Sequence, residues 1–236
     1  MSTFRYDDAI IERFPTTTCA ALVARGVTNG PTPVALRDEL VDAQAETRAR
    51  LGDTPLSEVP SLAAWRRVFT AFGVSPTKYR SAAEAIARRI TKKGDLPSIS
   101  TLVDLGNLVS VRHSVPVAVI DLGAVDGGIT VRFARGDEPF DDLGGSEAEH
   151  PDEGEVVFVD ESDAVTARRW CWRQSRATAA GPATTDVLIV AEAHHDTAAA
   201  DLAAALADLE RLLAAHAAPA ELSTALLDRE RTSFSP

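Results

Sequence analysis

Eight basic side chains lie close together between Trp65 and Lys93, where Glu84 is the only acidic residue. They are Arg66, Arg67, Lys78, Arg80, Arg88, Arg89, Lys92 and Lys93. The aromatic residues Trp65, Phe69, Phe72 and Tyr79 are interleaved with them. Because the whole chain carries a net charge of −11, this concentration of cations is local. Such a patch is typical of a surface that binds nucleic-acid phosphates, although a solvated helix face can carry the same charges.

A second group of polar residues lies in the segment 102–122, where a predicted helix leads into an apolar strand. Asn107 and Ser110 are three residues apart, so they share a helix face with each other and with Asp104. An amide there could polarise an ester carbonyl or hold a ribose hydroxyl. The alternative is that Asn107 makes internal hydrogen bonds that anchor the helix to a sheet.

The segment 168–178 alternates aromatic and cationic side chains. Trp170 and Trp172 alternate with Arg169, Cys171 and Arg173, which places the two sets on opposite faces of a strand. This pattern favours either a platform for a base or a pocket for an aromatic side chain. A core strand with inward indoles and solvated arginines would give the same pattern.

Other chemistries lack their signatures in the sequence. There is no phosphate-binding GxxxxGK[ST] loop, no GxGxxG after a strand, no HExxH and no GxSxG. Cys19 and Cys171 are far apart, which indicates free thiols rather than a thiolate metal site. His194 and His195 follow a predicted strand, and we expect them to be exposed at its end rather than to bind a metal. No cofactor is expected.

Hydrophobic periodicity predicts an α+β fold in which N-terminal helices precede a strand-rich mixed or antiparallel sheet core and a C-terminal helix. The predicted helices cover residues 33–51, 59–72, 99–111 and 197–216, and a further helix follows the capping box of Ser81 and Glu84 and presents Arg88, Arg89, Lys92 and Lys93 outward. The predicted strands cover 18–27, 115–121, 128–134, 155–160, 164–170 and 185–193. We expect one domain over residues 1–216 and a loosely ordered tail over 217–236.

Taken together, these segments resemble the B3/B4 domain of the phenylalanyl-tRNA synthetase beta chain, in a free-standing form. The resemblance is strongest over residues 59–196. Its most specific part is the VD-x-x-N core of Val103, Asp104 and Asn107, followed by Pro116 and Asp121. It implies a proofreading site that hydrolyses tyrosine wrongly esterified to tRNA, because a pocket for phenylalanine cannot exclude an added hydroxyl strongly enough by binding alone. The mechanism that the resemblance implies is attack of water on the ester, without a metal or a protein nucleophile.

The resemblance also implies roles for individual residues. Asn107 falls at the pocket asparagine, Gln174 at a glutamate that reads the tyrosine hydroxyl, and Thr184 or Thr185 near a pocket threonine. The segment 168–174 replaces a Gly-rich turn, and Ala118 and Pro97 replace a histidine and an arginine. We therefore predict Asn107, Gln174 and Thr185 as catalytic residues, and Ser110, Trp172 and Thr184 as pocket residues. The eight cations between Trp65 and Lys93 are predicted to hold the tRNA.

The sequence thus predicts a cytoplasmic protein that binds the aminoacylated 3′ end of tRNA and clears a mis-esterified amino acid in trans. Two alternatives remain open: a non-catalytic module that binds tRNA or an amino acid, and an enzyme that passes the aminoacyl group to an acceptor other than water. No stretch has the roughly 20 apolar residues of a membrane span. The oligomeric state stays open.

Overall fold

The computed structural model describes residues 4–142 and 149–236. Within them the chain forms six α-helices: α1 (Asp8–Arg13), α2 (Val34–Leu51), α3 (Pro60–Ala71), α4 (Ala82–Lys93), α5 (Thr101–His113) and α6 (Ala198–His216). The strands are β1 (Phe4–Tyr6), β2 (Thr18–Arg25), β3 (Val117–Asp121), β4 (Ile129–Phe133), β5 (Val156–Val159), β6 (Val165–Arg168), β7 (Arg173–Gln174), β8 (Asp186–Ala193), β9 (Glu221–Leu227) and β10 (Ser233–Phe234). The predicted α+β class is confirmed.

The described strands form two sheets. One has six strands in the order β10-β1-β4-β5-β6-β7, and it is mixed because β1 runs parallel to β4. The other has four antiparallel strands in the order β3-β8-β2-β9. One face of the four-stranded sheet packs against the six-stranded sheet, and its other face is covered by α2, α5 and α6.

Local sequence signals explain where the helices begin. Pro60 occupies the first turn of α3, where its missing N–H is not needed. The Ser81 side chain accepts a hydrogen bond from the Glu84 N–H and so caps α4, while Gly94 ends that helix in the left-handed region with φ of 98°. Helix α4 therefore begins at the capping box that the sequence predicts.

The C-terminal segment differs from expectation. Residues 217–236, expected to be a loosely ordered tail, contain β9 and β10. Strand β9 pairs along β2 from Arg25↔Glu221 to Cys19↔Leu227. The pairing buries Ala225 and Leu227 in the contact between the sheets. This burial holds the segment in place.

Candidate functional site: an apolar cavity and a basic groove

A cavity of about 160 Å³ lies where the two sheets face each other. Its wall is formed by side chains from β3, β5, β6, β8 and the segment after β6. They include Ala118, Phe158, Ala167, Trp170, Trp172, Gln174, Val190 and Glu192. The volume is close to that of an engineered apolar cavity, ~150 Å³, which binds one benzene molecule. The cavity is therefore large enough for one aromatic ring or a branched aliphatic side chain.

Glu192 is the acidic residue in this mostly apolar wall. Its Oε1 accepts hydrogen bonds from the Tyr6 hydroxyl at 2.5 Å and from Trp170 Nε1 at 2.8 Å. Burial raises the pKa of Glu192 to about 7, although both hydrogen bonds favour the ionised form. Glu192 was not among the residues predicted to line the pocket. The signal was a carboxylate within the apolar run that follows Asp186 in the strand DVLIVAEA, because such a residue is rarely buried without a specific partner.

The segment between β6 and β7 forms one wall of the cavity in an unusual backbone conformation. Arg169 and Trp170 are consecutive non-glycine residues with φ of 45° and 60°. Such values are costly for residues with a Cβ and persist only where neighbours enforce them. Here the Arg169 N–H donates to Glu155 Oε1 at 3.0 Å, and Arg168 pairs with both oxygens of that carboxylate. The turn keeps a glycine-like backbone at the place where the resemblance implies glycines.

A basic groove of about 510 Å³ lies beside the cavity. Six of the eight predicted cations line it: Lys78, Arg80, Arg88, Arg89, Lys92 and Lys93. Arg173 adds a seventh, and the described lining contains no Asp or Glu. Trp172 and Arg173 belong to both the groove and the cavity. These two residues therefore form a wall that the groove and the cavity share.

The other two predicted cations lie next to the groove. Arg66 donates to Glu84 Oε1 at 2.8 Å, and Arg80 approaches the same atom at 3.6 Å. Arg66 and Arg67 line a neighbouring depression on α3. Two of the interleaved aromatic residues do not share the surface of the cations: Trp65 and Phe69 are only 1% and 0% exposed, because they face the hydrophobic core.

Four of the predicted site residues lie away from the cavity lining. Helix α5 packs on the face of the four-stranded sheet that points away from the cavity. The contact is close, because a Cβ added to Gly106 would touch the Val119 side chain. Asn107 is half-buried on this helix, and Ser110 donates to the Val115 carbonyl at 2.7 Å. The Thr184 hydroxyl donates to Asp121 Oδ2 at 2.6 Å, and Thr185 is exposed.

Gln174 and Trp172 do line the cavity. Gln174 Nε2 donates to the carbonyls of Val119 and Thr178, each at 2.8 Å. Both amide hydrogens thus take part in internal hydrogen bonds. Gln174 can therefore contact a ligand through Oε1, which accepts a hydrogen bond. Cys171 is another wall residue, and burial raises the pKa of its thiol well above the ordinary value. A thiol held in this form is a poor nucleophile.

The histidines after β8 are not exposed as the sequence analysis expected. His194 is 5% exposed, and its ring stands edge-on to those of Trp65 and Trp170 at centroid distances of 4.5 and 5.0 Å. Burial lowers its pKa to about 3. Over residues 4–142 and 149–236, no group of three or more His, Cys, Asp or Glu side chains is arranged to hold a metal ion.

The comparison with protein families identifies this architecture. The B3/4 domain family profile matches residues 64–212, which is more than half of the chain. The protein belongs to the B3/4 domain family. The match begins in α3 and ends in α6, so it includes both the groove and the cavity.

Two curated relatives are phenylalanine–tRNA ligase beta subunits. The chain is 38% identical over 68 residues to the subunit of Aliivibrio fischeri, covering 29% of this chain and 8% of that protein. It is 43% identical over 51 residues to the subunit of Chromobacterium violaceum, covering 22% and 6%. The chain therefore matches only a small part of each relative's length. The synthetase resemblance is confirmed.

A similar solved structure is an N-terminal fragment of the phenylalanyl-tRNA synthetase beta subunit from Pyrococcus horikoshii. It has a TM-score of 0.45 and 11% sequence identity, with 90% of this chain and 48% of that chain covered.

Among the described residues, no helix combines the length and apolarity needed to cross a bilayer.

Proposed function

We propose that this B3/4 domain protein binds the aminoacylated 3′ end of tRNA and hydrolyses a mis-esterified amino acid in trans, in the cytoplasm. One observation carries the proposal: the basic groove and the apolar cavity share Trp172 and Arg173 in their walls. Phosphates in the groove would place the attached amino acid at the cavity. The phenylalanine–tRNA ligase relatives support tRNA as the ligand.

In this reaction water adds to the ester carbonyl, the bond to the ribose oxygen breaks, and the amino acid leaves tRNA with a free hydroxyl. The protein's part is to bind and orient. The cavity takes the amino-acid side chain, and the cations of α4 neutralise the preceding phosphates. Since Gln174 Nε2 already donates to two carbonyls, polarisation of the ester falls to the terminal ribose hydroxyl, as the family resemblance implies.

The test is to incubate the protein with tRNA charged with each amino acid in turn and to measure release. We expect release of at least one amino acid, and a loss of that activity in the double variant Arg88→Glu/Lys92→Glu. The matched control is Arg229→Glu, because Arg229 is exposed and does not line the groove. No release from any charged tRNA at high protein concentration would overturn the proposed hydrolysis.

A specific observation favours a second candidate, a module that binds aminoacyl-tRNA without cleaving it. The donors of Gln174 are occupied, and Ala118 stands where the resemblance places a histidine. This module would show saturable, salt-sensitive binding of charged tRNA and no release. If release appears only when an amine is added and yields an amide, the aminoacyl group is being transferred instead of hydrolysed.

A further inference from the structure

Trp172 is the tryptophan of this chain that solvent reaches. Trp65 and Trp170 are 1% and 0% exposed, whereas Trp172 is half-buried. Its ring lies edge-on to Tyr79, with ring centroids 5.0 Å apart. It also forms the shared wall where the groove meets the cavity. A large, half-buried aromatic side chain therefore stands between the basic groove and the apolar cavity.

Guanidinium groups flank this indole and are themselves held by carboxylates. Arg169 and Arg173 each place the guanidinium carbon 4.6 Å from the centre of the Trp172 ring. Arg169 pairs with Glu155 at 3.4 Å, and Arg173 donates to Asp142 Oδ1 at 2.7 Å. The positions of these planar cations are set before any ligand arrives. Indole and guanidinium planes are the groups on which unpaired bases stack.

The geometry of an aminoacyl ester specifies what must lie between the groove and the cavity. If the amino-acid side chain occupies the cavity, the ribose that carries it lies at the opening, and the base of the same nucleotide lies beside Trp172 and Arg173. Phosphates of the preceding nucleotides then run along the cations of α4. A paired duplex end cannot take this path, because its bases are stacked inside the helix. The path requires an unpaired strand.

We infer that Trp172 and Arg173 form the stacking site for the terminal base of a single-stranded RNA 3′ end. This inference rests on the proposed function for the nature of its ligand and goes beyond it by assigning the base-recognition residues. For the segment 168–178 the sequence pattern had left open a platform for a base, and the inference assigns that role to Trp172 and Arg173.

Intrinsic fluorescence tests the inference without any aminoacyl group. The protein is titrated with the trinucleotide CCA and with a matched RNA in which the last nucleotide is abasic. We expect saturable quenching by CCA and at least about fivefold weaker binding of the abasic RNA, since stacking on an aromatic ring is lost. Equal affinities for the two RNAs would overturn the inference.

Two variants assign the effect to Trp172. In Trp172→Phe a ring remains, so CCA still binds better than the abasic RNA, measured by anisotropy of end-labelled RNA, while quenching disappears. In Trp172→Ala the preference for CCA disappears. Thermal unfolding establishes that each variant is folded, and Arg229→Gln should keep both preference and quenching. A preference that survives in Trp172→Ala contradicts the inference.

The results separate this inference from the proposed hydrolysis. Base-dependent quenching without deacylation would contradict the proposed hydrolysis and support the stacking site. Deacylation with equal affinities for CCA and the abasic RNA would contradict only the stacking site.

Discussion

Trp170 donates from Nε1 to Glu192 Oε1 over 2.8 Å, joining the segment after β6 to strand β8 across the contact between the two sheets. The Tyr6 hydroxyl donates to the same oxygen. Both donors are buried, and Glu192 is only 3% exposed. Because neither donor uses Oε2, that oxygen can accept a hydrogen bond from a ligand in the cavity when Glu192 is ionised and can donate one when Glu192 is protonated. Glu192 thus both stabilises the fold and supplies a polar group to the cavity.

This arrangement predicts different costs for two substitutions of Glu192. Glu192→Leu removes the acceptor of two buried donors, and we expect a loss of about 2–4 kcal/mol in the free energy of unfolding. Glu192→Gln keeps an oxygen for Tyr6 and Trp170, so its cost at neutral pH should stay below about 1 kcal/mol. Urea unfolding monitored by circular dichroism measures both. Equal losses would show that the two hydrogen bonds contribute little.

Glu192 also predicts how stability depends on pH. Its pKa in the folded protein is about 7, above the ordinary value of 4.5, so the folded state holds its proton over this interval while the unfolded state does not. The contribution of Glu192 is therefore fully present below pH 4.5 and is lost as the pH rises towards 7, by at most about 1.4 kcal/mol per pH unit. Comparing wild type with Glu192→Gln in urea unfolding from pH 4.5 to 8 isolates this loss.

His194 should act in the opposite direction. Its pKa is lowered from 6.5 to about 3, so the contribution of the neutral ring is present above pH 6.5 and is lost as the pH falls. We expect His194→Phe to remove this loss on acidification while keeping an aromatic ring beside Trp65 and Trp170. In wild type the two groups offset each other between about pH 4.5 and 6.5. A His194→Phe variant whose unfolding free energy shows the same pH dependence as wild type would contradict this account.

How much of the molecule could be predicted from sequence depends on the range of the interactions involved. Ser81 caps α4 through a bond to its near neighbour Glu84, so the start of this helix and its outward cations were predicted correctly. Asn107 was predicted to be a pocket residue from the family resemblance, whereas its helix alone left open an internal role in anchoring helix to sheet. The packing of the two sheets decides which face of a sheet bounds the cavity. The sequence of a single helix carries no information about that packing.

Glu192 is a second residue whose role could not be predicted from its local sequence. Its position within an apolar strand marks it as unusual, but its role depends on Tyr6, 186 residues earlier in the chain. The alternating pattern around Trp172 did predict an aromatic and cationic cluster. Its place between groove and cavity became visible only with the turn at Arg169 and Trp170.

Asp104 is predicted to be structural rather than catalytic. Its side chain is 0% exposed and accepts from the Thr32 hydroxyl at 2.6 Å, the Ser98 hydroxyl at 2.5 Å and the Ile99 N–H at 2.9 Å. Asp104→Ala leaves these donors without their acceptor and should cost about 3 kcal/mol or more in urea unfolding. Asn107→Ala on the same helix is the matched control and should change stability by less than about 0.5 kcal/mol. Similar losses for both would refute the structural role of Asp104.

The exposed cations of α4 should contribute to RNA affinity in a way that salt reveals. Arg88 and Lys92 are exposed and lie one turn apart in the groove wall. We expect Arg88→Gln and Lys92→Gln each to weaken binding of single-stranded RNA about equally for all sequences, and to reduce the slope of log K against log salt by about 0.7. Fluorescence anisotropy at several salt concentrations measures the slope.

Arg66 provides the contrast within the same patch. Its guanidinium donates to the buried Glu84 carboxylate at 2.8 Å, so it is less able to contact a phosphate. Arg66→Gln should therefore change the slope of log K against log salt less than Lys92→Gln does. It should also lower the free energy of unfolding, because the buried Glu84 carboxylate loses the charged partner at position 66. Arg229→Gln should leave both quantities unchanged. If Arg66→Gln reduced the slope as much as Lys92→Gln, the RNA path would have to extend from α4 onto α3.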